Sequence, residues 1–148
     1  MSLTRAGGPG AGTRWRLCWV EPSDQEATAF LRDHADELAS TPAPGHVDAA
    51  DYAAIFYVGG HGAMFDFPEC ADLAALAVGI YEAGGVTGAV RHGQAGLVNL
   101  TLSDGSYLVS GKRLTSFTNG EEAYLSLSAI VPFSLQDRLT ERGAHFTG

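Results

Sequence analysis

"AAIFYVGG", residues 53–60, decides the fold class. A short, unbroken apolar run stopped by a glycine pair is the pattern of a strand buried on both faces of a parallel sheet. A second run of the same kind, "VTGAV", occupies 86–90. Between them, "HGAMFDFPE" (61–69) reads as a loop. "CADLAALAVGIYEAGG" (70–85) reads as a helix, with Leu73, Leu76, Ala77 and Ile80 inward and Gly84-Gly85 as its stop. Strand, helix, strand, with glycines just beyond the strands, predicts a three-layer α/β/α sandwich with a mostly parallel sheet. In such folds ligands sit beyond the carboxyl ends of the strands. The glycine-marked loops 59–62 and 91–93 lie at two such ends, and they are expected to face one crevice.

Outward from this centre the patterns are less uniform. Residues 1–13 are glycine-rich and read as a flexible tail. "RWRLCWV" (14–20) alternates like a short strand. Ser23 or Asp24 is the expected cap of a helix reaching about Leu38, with Ala27, Phe30, Leu31 and Leu38 as its apolar face and Glu26 as box partner if Ser23 caps. "STPAPGHVDAADY" (40–52) is a loop. "SYLV" and "KRLTSF", on either side of Ser110-Gly111, predict a hairpin. "TNGEEAYLSL" (118–127) begins a helix capped by Thr118 or Asn119, and "PFSLQDRLTERGAHF" (132–146) is a further helix stopped at Gly143.

A chain of 148 residues, 45% hydrophobic and 18% charged, suits one globular domain. A formal net charge of −8 repels phosphate backbones and argues against nucleic-acid binding. No apolar run approaches bilayer-spanning length, and the N-terminus lacks the apolar core of a signal peptide. A soluble cytoplasmic protein with no membrane or nucleic-acid partner is therefore expected. The two cysteines, Cys18 and Cys70, are too few for a disulfide framework. The five histidines show no HxH or HExxH spacing, so neither metal nor cofactor is expected.

The chemistry concentrates at "GAVRHGQAGL", residues 88–97. A buried strand that turns this sharply into a helix normally presents a nucleophile at the turn. Here the position holds Arg91, a permanent cation that cannot attack a carbonyl. His92, next along, has the titration range for proton transfer but no thiol to deprotonate. Glu121 and Glu122 fit the first turn of a helix, and either can also orient His92. Gly59, Gly60 and Gly62 permit the tight turn after the strand, and exposed amides there can hold an oxyanion or a small anion. Cys70, near a helix start, reads mainly as a structural cysteine. Arg91 is read either as an anion clamp at the crevice mouth or as a plain loss of function.

Several separated motifs, "DYAAIFYVGGHG", "AVRHG", "LSDGSYLVSGKRLTSFTNGEE" and "VPFSLQDRLTERGAHF", resemble the ThiJ/PfpI superfamily, the class I glutamine-amidotransferase-like group. The nearer likeness is to its heat-shock chaperone and glyoxalase III branch, and it spans about residues 21–146. The resemblance implies a flavodoxin-like fold. It also implies cofactor-free conversion of methylglyoxal to lactate through a hemithioacetal on an elbow cysteine. By position, the nucleophile falls on Arg91, its partner on His92 and the supporting carboxylate on Glu122, with Glu121 second. Gly60, His61 and Gly93 line the crevice on the oxyanion side. The resemblance further implies an early strand–helix–strand with a thiol-supporting glutamate, where this chain has residues 1–20, and more chain beyond Gly148. The sequence thus reads as a domain over 21–148, incomplete at both ends, that is impaired as a lyase and has a small aldehyde or anion as ligand and a homodimer or other association as its state. The alternatives are a non-enzymatic domain binding small anions or unfolded clients, and a truncated gene product without function.

Overall fold

The computed structural model describes residues 23–148 and the backbone of two strands before them. Those strands, β1 (Leu3–Ala6) and β2 (Arg14–Leu17), pair antiparallel. Of the strand expected at 14–20, Arg14–Leu17 is formed, and its antiparallel partner lies within the segment read as a tail; the rest of both segments lies outside the described residues.

Helix α1 (Gln25–Asp33) starts at Asp24, whose side chain accepts from the Ala27 amide at 2.9 Å. The helix predicted to reach Leu38 breaks at His34, and α2 (Ala35–Ala39) follows. Neither helix has a buried residue.

The centre is as the apolar runs predict. Strand β3 (Ala54–Tyr57) leads through the short helix α3 (Ala63–Asp66) into α4 (Ala71–Glu82) and then β4 (Val86–Ala89). The two strands pair in parallel, with Ile55 opposite Thr87 and Tyr57 opposite Ala89. Helix α4 packs across both strands, and its Ala77 and Ile80 are buried. Segment 61–69 is no loop: α3 and a 3-10 turn, Phe67–Glu69, fill it because Ala63 and Met64 are buried in the core.

One expectation about β3 fails. Tyr57 is 3% exposed, but Phe56 and Val58 are 62% and 65% exposed, so only one face is covered. The run is apolar throughout, but its pleat sends alternate side chains to opposite sides, and the described residues cover only one of them.

After β4 the chain enters a seven-residue 3-10 segment, Arg91–Leu97, where the sharp turn into a helix was expected. Such long 3-10 runs are uncommon. This one lies against β3: a Cβ on Gly93 would overlap the Tyr57 carbonyl, so no other residue fits there.

The predicted hairpin around Ser110-Gly111 does not form. The chain folds back earlier, at Asp104-Gly105, where Gly105 takes φ +84° and Thr101 bridges Tyr107 antiparallel. Asp-Gly is the stronger reversal signal, because the glycine reaches positive φ at no steric cost. "KRL" instead supplies β5 (Arg113–Leu114). Helices α5 (Asn119–Tyr124) and α6 (Leu135–Glu141) follow, and then β6 (His145–Phe146), which pairs in parallel with β5. "AHF" is thus a strand. Gly143 ends α6, as predicted, and β5 offers the new strand its partners.

Among the described residues two of the three strand pairs are parallel, helices pack on them, and the chain is an α/β sandwich of the predicted class. Its core runs from Tyr57 and Met64 through Ala95–Leu100 to Leu135 and Leu139. No described helix is long and apolar enough to cross a membrane.

Candidate functional site

The two glycine-marked loops meet, as the topology requires. Val90 donates its amide to the Tyr57 carbonyl at 3.1 Å, which ties the end of β4 to the end of β3. At the next residue the backbone of Arg91 takes φ +55°. For a residue with a long side chain that conformation costs free energy, and it persists where the surroundings impose it. Here a Cβ on Gly59 would overlap the Val90 carbonyl and crowd the Arg91 Cβ, so only glycine fits against the turn. Arg91 is exposed, whereas every residue from His92 to Val98 is buried.

His92 is 0% exposed. Its Nε2 lies 2.6 Å from Oε1 of Glu122, a buried carboxylate that can only accept. Nε2 therefore carries the proton, and Nδ1 is left with a lone pair. That Nδ1 is buried and has no partner among the described residues. Burial holds the His92 pKa below the ordinary imidazole value, against the opposing pull of the Glu122 hydrogen bond. Nearby His61 and Arg91 add to the lowering.

Glu122 reaches His92 because α5 is firmly anchored. Thr118 caps α5 in a reciprocal box with Glu121. Asn119 links α5 to the start of α6, accepting from Ser134 Oγ at 2.6 Å and donating to Asp137 Oδ1 at 2.9 Å. The pair of glutamates is thereby sorted. Glu121 turns back to the cap, where the Thr118 amide and hydroxyl lower its pKa, and Glu122, one position on, points inward.

His61 supplies more than backbone. Its Nε2 donates to the second oxygen of Glu122 at 3.2 Å, and its ring lies 4.0 Å, centroid to centroid, from that of His92. Phe117 completes the cluster, with its centroid 4.4 Å from His92 and 5.8 Å from the Arg91 guanidinium carbon. Neither the His61 side chain nor Phe117 was singled out from sequence. The aromatic residue just before the capping threonine was the available signal for Phe117.

The amides of Gly60 and His61 donate to no group among the described residues. They belong to the same loop as the His61 ring. Gly93 sits beneath, against Tyr57. Cys70 is half-buried at the start of α4, with Tyr57 as its ionisable neighbour, and no contact joins it to the histidines. Cys18 lies outside the described residues.

Donor atoms of His61, His92 and Glu122 lie within 4.8 Å of one another, so these three could hold a divalent ion. No sequence spacing signals this set, because its members come from three separate loops and helices. An ion there would have to replace both hydrogen bonds to Glu122. The arrangement as it stands can orient and tune a buried imidazole base, with two free amides and a cation at the crevice mouth.

No family model matches the chain. The glutathione-independent glyoxalase HSP31 of Saccharomyces cerevisiae is 39% identical over 111 residues, 72% of this chain and 47% of that protein. Glyoxalase 3 of Candida albicans is 40% identical over 86 residues, 57% of this chain and 36% of that protein. The chain spans about half the length, or less, of the curated relatives it matches. Among solved structures, the 24 kDa rapid encystment protein of Francisella tularensis superposes with a TM-score of 0.78 at 37% identity, over 87% of this chain and 58% of that one. The crystal structure of glyoxalase III from Candida albicans gives a TM-score of 0.76 at 29% identity, over 87% and 56%.

Proposed function

The chain belongs to the ThiJ/PfpI superfamily, in its glyoxalase III-like branch, and we propose that its crevice is a glyoxalase-type site that keeps the acid–base pair and lacks the nucleophile. Arg91 stands at the nucleophile position, His92 is the base, and Glu122 fixes its tautomer. The Gly60 and His61 amides form the oxyanion side, and Gly93 allows the elbow to sit against β3. One observation carries this reading: Arg91 holds φ +55° at the strand end, directly before a buried histidine whose Nδ1 has no partner. A nucleophile and its base must be within hydrogen-bond reach of each other, and here the residue before the base offers no acidic proton.

In the reaction that the family resemblance implies, a thiolate adds to the aldehyde carbon of a 2-oxoaldehyde. A proton then moves from that carbon to its neighbour, and water releases the 2-hydroxy acid. The first bond needs an electron pair on the elbow residue. A guanidinium stays protonated at neutral pH and has no pair to give. His92, the amides and the turn therefore remain in place without the group that would start the conversion.

The test is lactate formation from methylglyoxal by the purified chain at neutral pH. The expected result is no lactate above the buffer control. Steady turnover, lost on His92→Ala, would overturn the proposal.

A further inference from the structure

We infer that His61, His92 and Glu122 form a binding site for one divalent ion of the zinc class, with the Nε2 atoms of the two imidazoles and one carboxylate oxygen as three ligands and a water as the fourth. The inference concerns the Glu122 side of His92 and does not depend on which residue stands at the elbow.

Convergence carries it. Two imidazoles from separate segments turn the same nitrogen onto one carboxylate, His92 at 2.6 Å from Oε1 and His61 at 3.2 Å from Oε2. Orienting one imidazole base takes one acceptor oxygen, so the second histidine has no part in that task. Ligand atoms of the three residues all lie within 4.8 Å of one another, and no other such set exists among the described residues.

Two histidines and a glutamate, with a water in the open position, are a donor set that holds zinc. Zinc bonds of about 2.0–2.2 Å set neighbouring donors roughly 3.3 Å apart in a tetrahedron. His61 and Glu122 already stand close to that spacing. His92 and Glu122 must part by about 0.7 Å to reach the same tetrahedral spacing, a change that rotation of the glutamate side chain supplies while α5 stays in place. Two imidazoles favour zinc and its neighbours over calcium or magnesium, which take oxygen donors.

Access comes from one side. The His61 side chain is 26% exposed, against 0% for His92 and 8% for Glu122, so an ion and its water enter past His61. Phe117 lies against both imidazoles, 5.9 Å from His61 and 4.4 Å from His92, and forms an apolar wall that holds the rings. The Arg91 cation opposes an ion here. Glu121, close enough to feel both Arg91 and His92, and a formal chain charge of −8 offset it.

The experiment uses the full chain, freed of metal by a chelator and titrated with Zn2+ by calorimetry and with Co2+ by visible absorption. One ion per chain is expected, with the intense d–d bands of a four-coordinate nitrogen and oxygen site and no thiolate charge-transfer band. His61→Ala, its fold checked by circular dichroism, weakens Zn2+ binding more than about 100-fold, since even partners one shell removed from a metal cost about 10–100-fold. His34→Ala, at the other histidine–carboxylate pair among the described residues, leaves binding unchanged. Should His61→Ala not fold, the Co2+ form of the unaltered chain decides: its proton spectrum shows hyperfine-shifted ring resonances from two histidines. No bound ion, a thiolate band, fewer than two shifted histidines, binding that survives His61→Ala, or binding lost on His34→Ala overturns the inference.

Discussion

The elbow carries His92 and Gln94 among small residues, and the outer face of the β3–β4 pair is apolar, yet the elbow is the region that is buried. From His92 to Val98 nothing is exposed. On the strands just beside it Phe56 is 62%, Val58 65% and Val86 65% exposed. Composition alone points the other way; neighbours decide. The elbow is enclosed by Tyr57, α3, α6 and the Phe67–Glu69 turn, whereas the outer strand face meets no described element. Helix α1 repeats the lesson: it is amphipathic, yet Phe30 remains 55% exposed. Burial of a polar network is therefore a property of one side of this molecule, and chemistry that needs a dry imidazole belongs there.

Substitutions that remove atoms should register on the enclosed side and not on the open one. The largest effect is expected for Leu100→Ala, at a position 1% exposed. Chemical denaturation should show a loss of about 3 kcal/mol, the usual cost of such a cavity. A loss below about 1 kcal/mol would mean that this side is looser than its packing implies. Next comes Glu122→Ala, which strips two imidazoles of their acceptor and should cost about 2 kcal/mol.

The same pair gives a pH signature. The folded His92 ring resists protonation because of its burial, so its pKa lies below that of the unfolded chain. The unfolded chain then binds the proton first, and stability falls as pH drops below about 6.5. His92→Asn removes that part of the slope. Melts from neutral to mildly acidic pH check the sign; a histidine-linked gain of stability on acidification would contradict it.

Thr118→Ala should cost about 1 kcal/mol by removing the cap that positions α5. The smallest effect is expected for Val58→Ser on the open face, within about 0.5 kcal/mol. A cost above about 1 kcal/mol there would show that the face is covered in solution, and the contrast between the two regions would dissolve.

The parts of the fold that could be read in sequence are those with one dominant local signal. The apolar runs of β3 and β4, the periodic α4 and its glycine stop all appear where they were expected. Errors arose where two local signals competed. Asp104-Gly105 outweighed Ser110-Gly111 as a reversal, and "AHF" became a strand because β5 lay beside it. The elbow was legible because a strand meeting "RHG" is distinctive. The resemblance put Glu122 ahead of Glu121, and Glu122 is the one that meets His92; local pattern alone left both open, because the choice depends on the rotation of α5 about its cap. The His61 side chain and Phe117 enter only because three distant segments converge, and no spacing along the chain predicts that.

The most direct test asks whether everything but the nucleophile is in place. Arg91→Cys puts a sulfur at the elbow on the residue before His92, and its alkylation by iodoacetamide at neutral pH can be compared, by peptide mass, with that of Cys70 in the same protein. A base poised as described should make the new sulfur react at least about tenfold faster than Cys70, and His92→Asn should abolish the difference. Equal rates, or a fast rate that His92→Asn leaves unchanged, would contradict the account of the elbow.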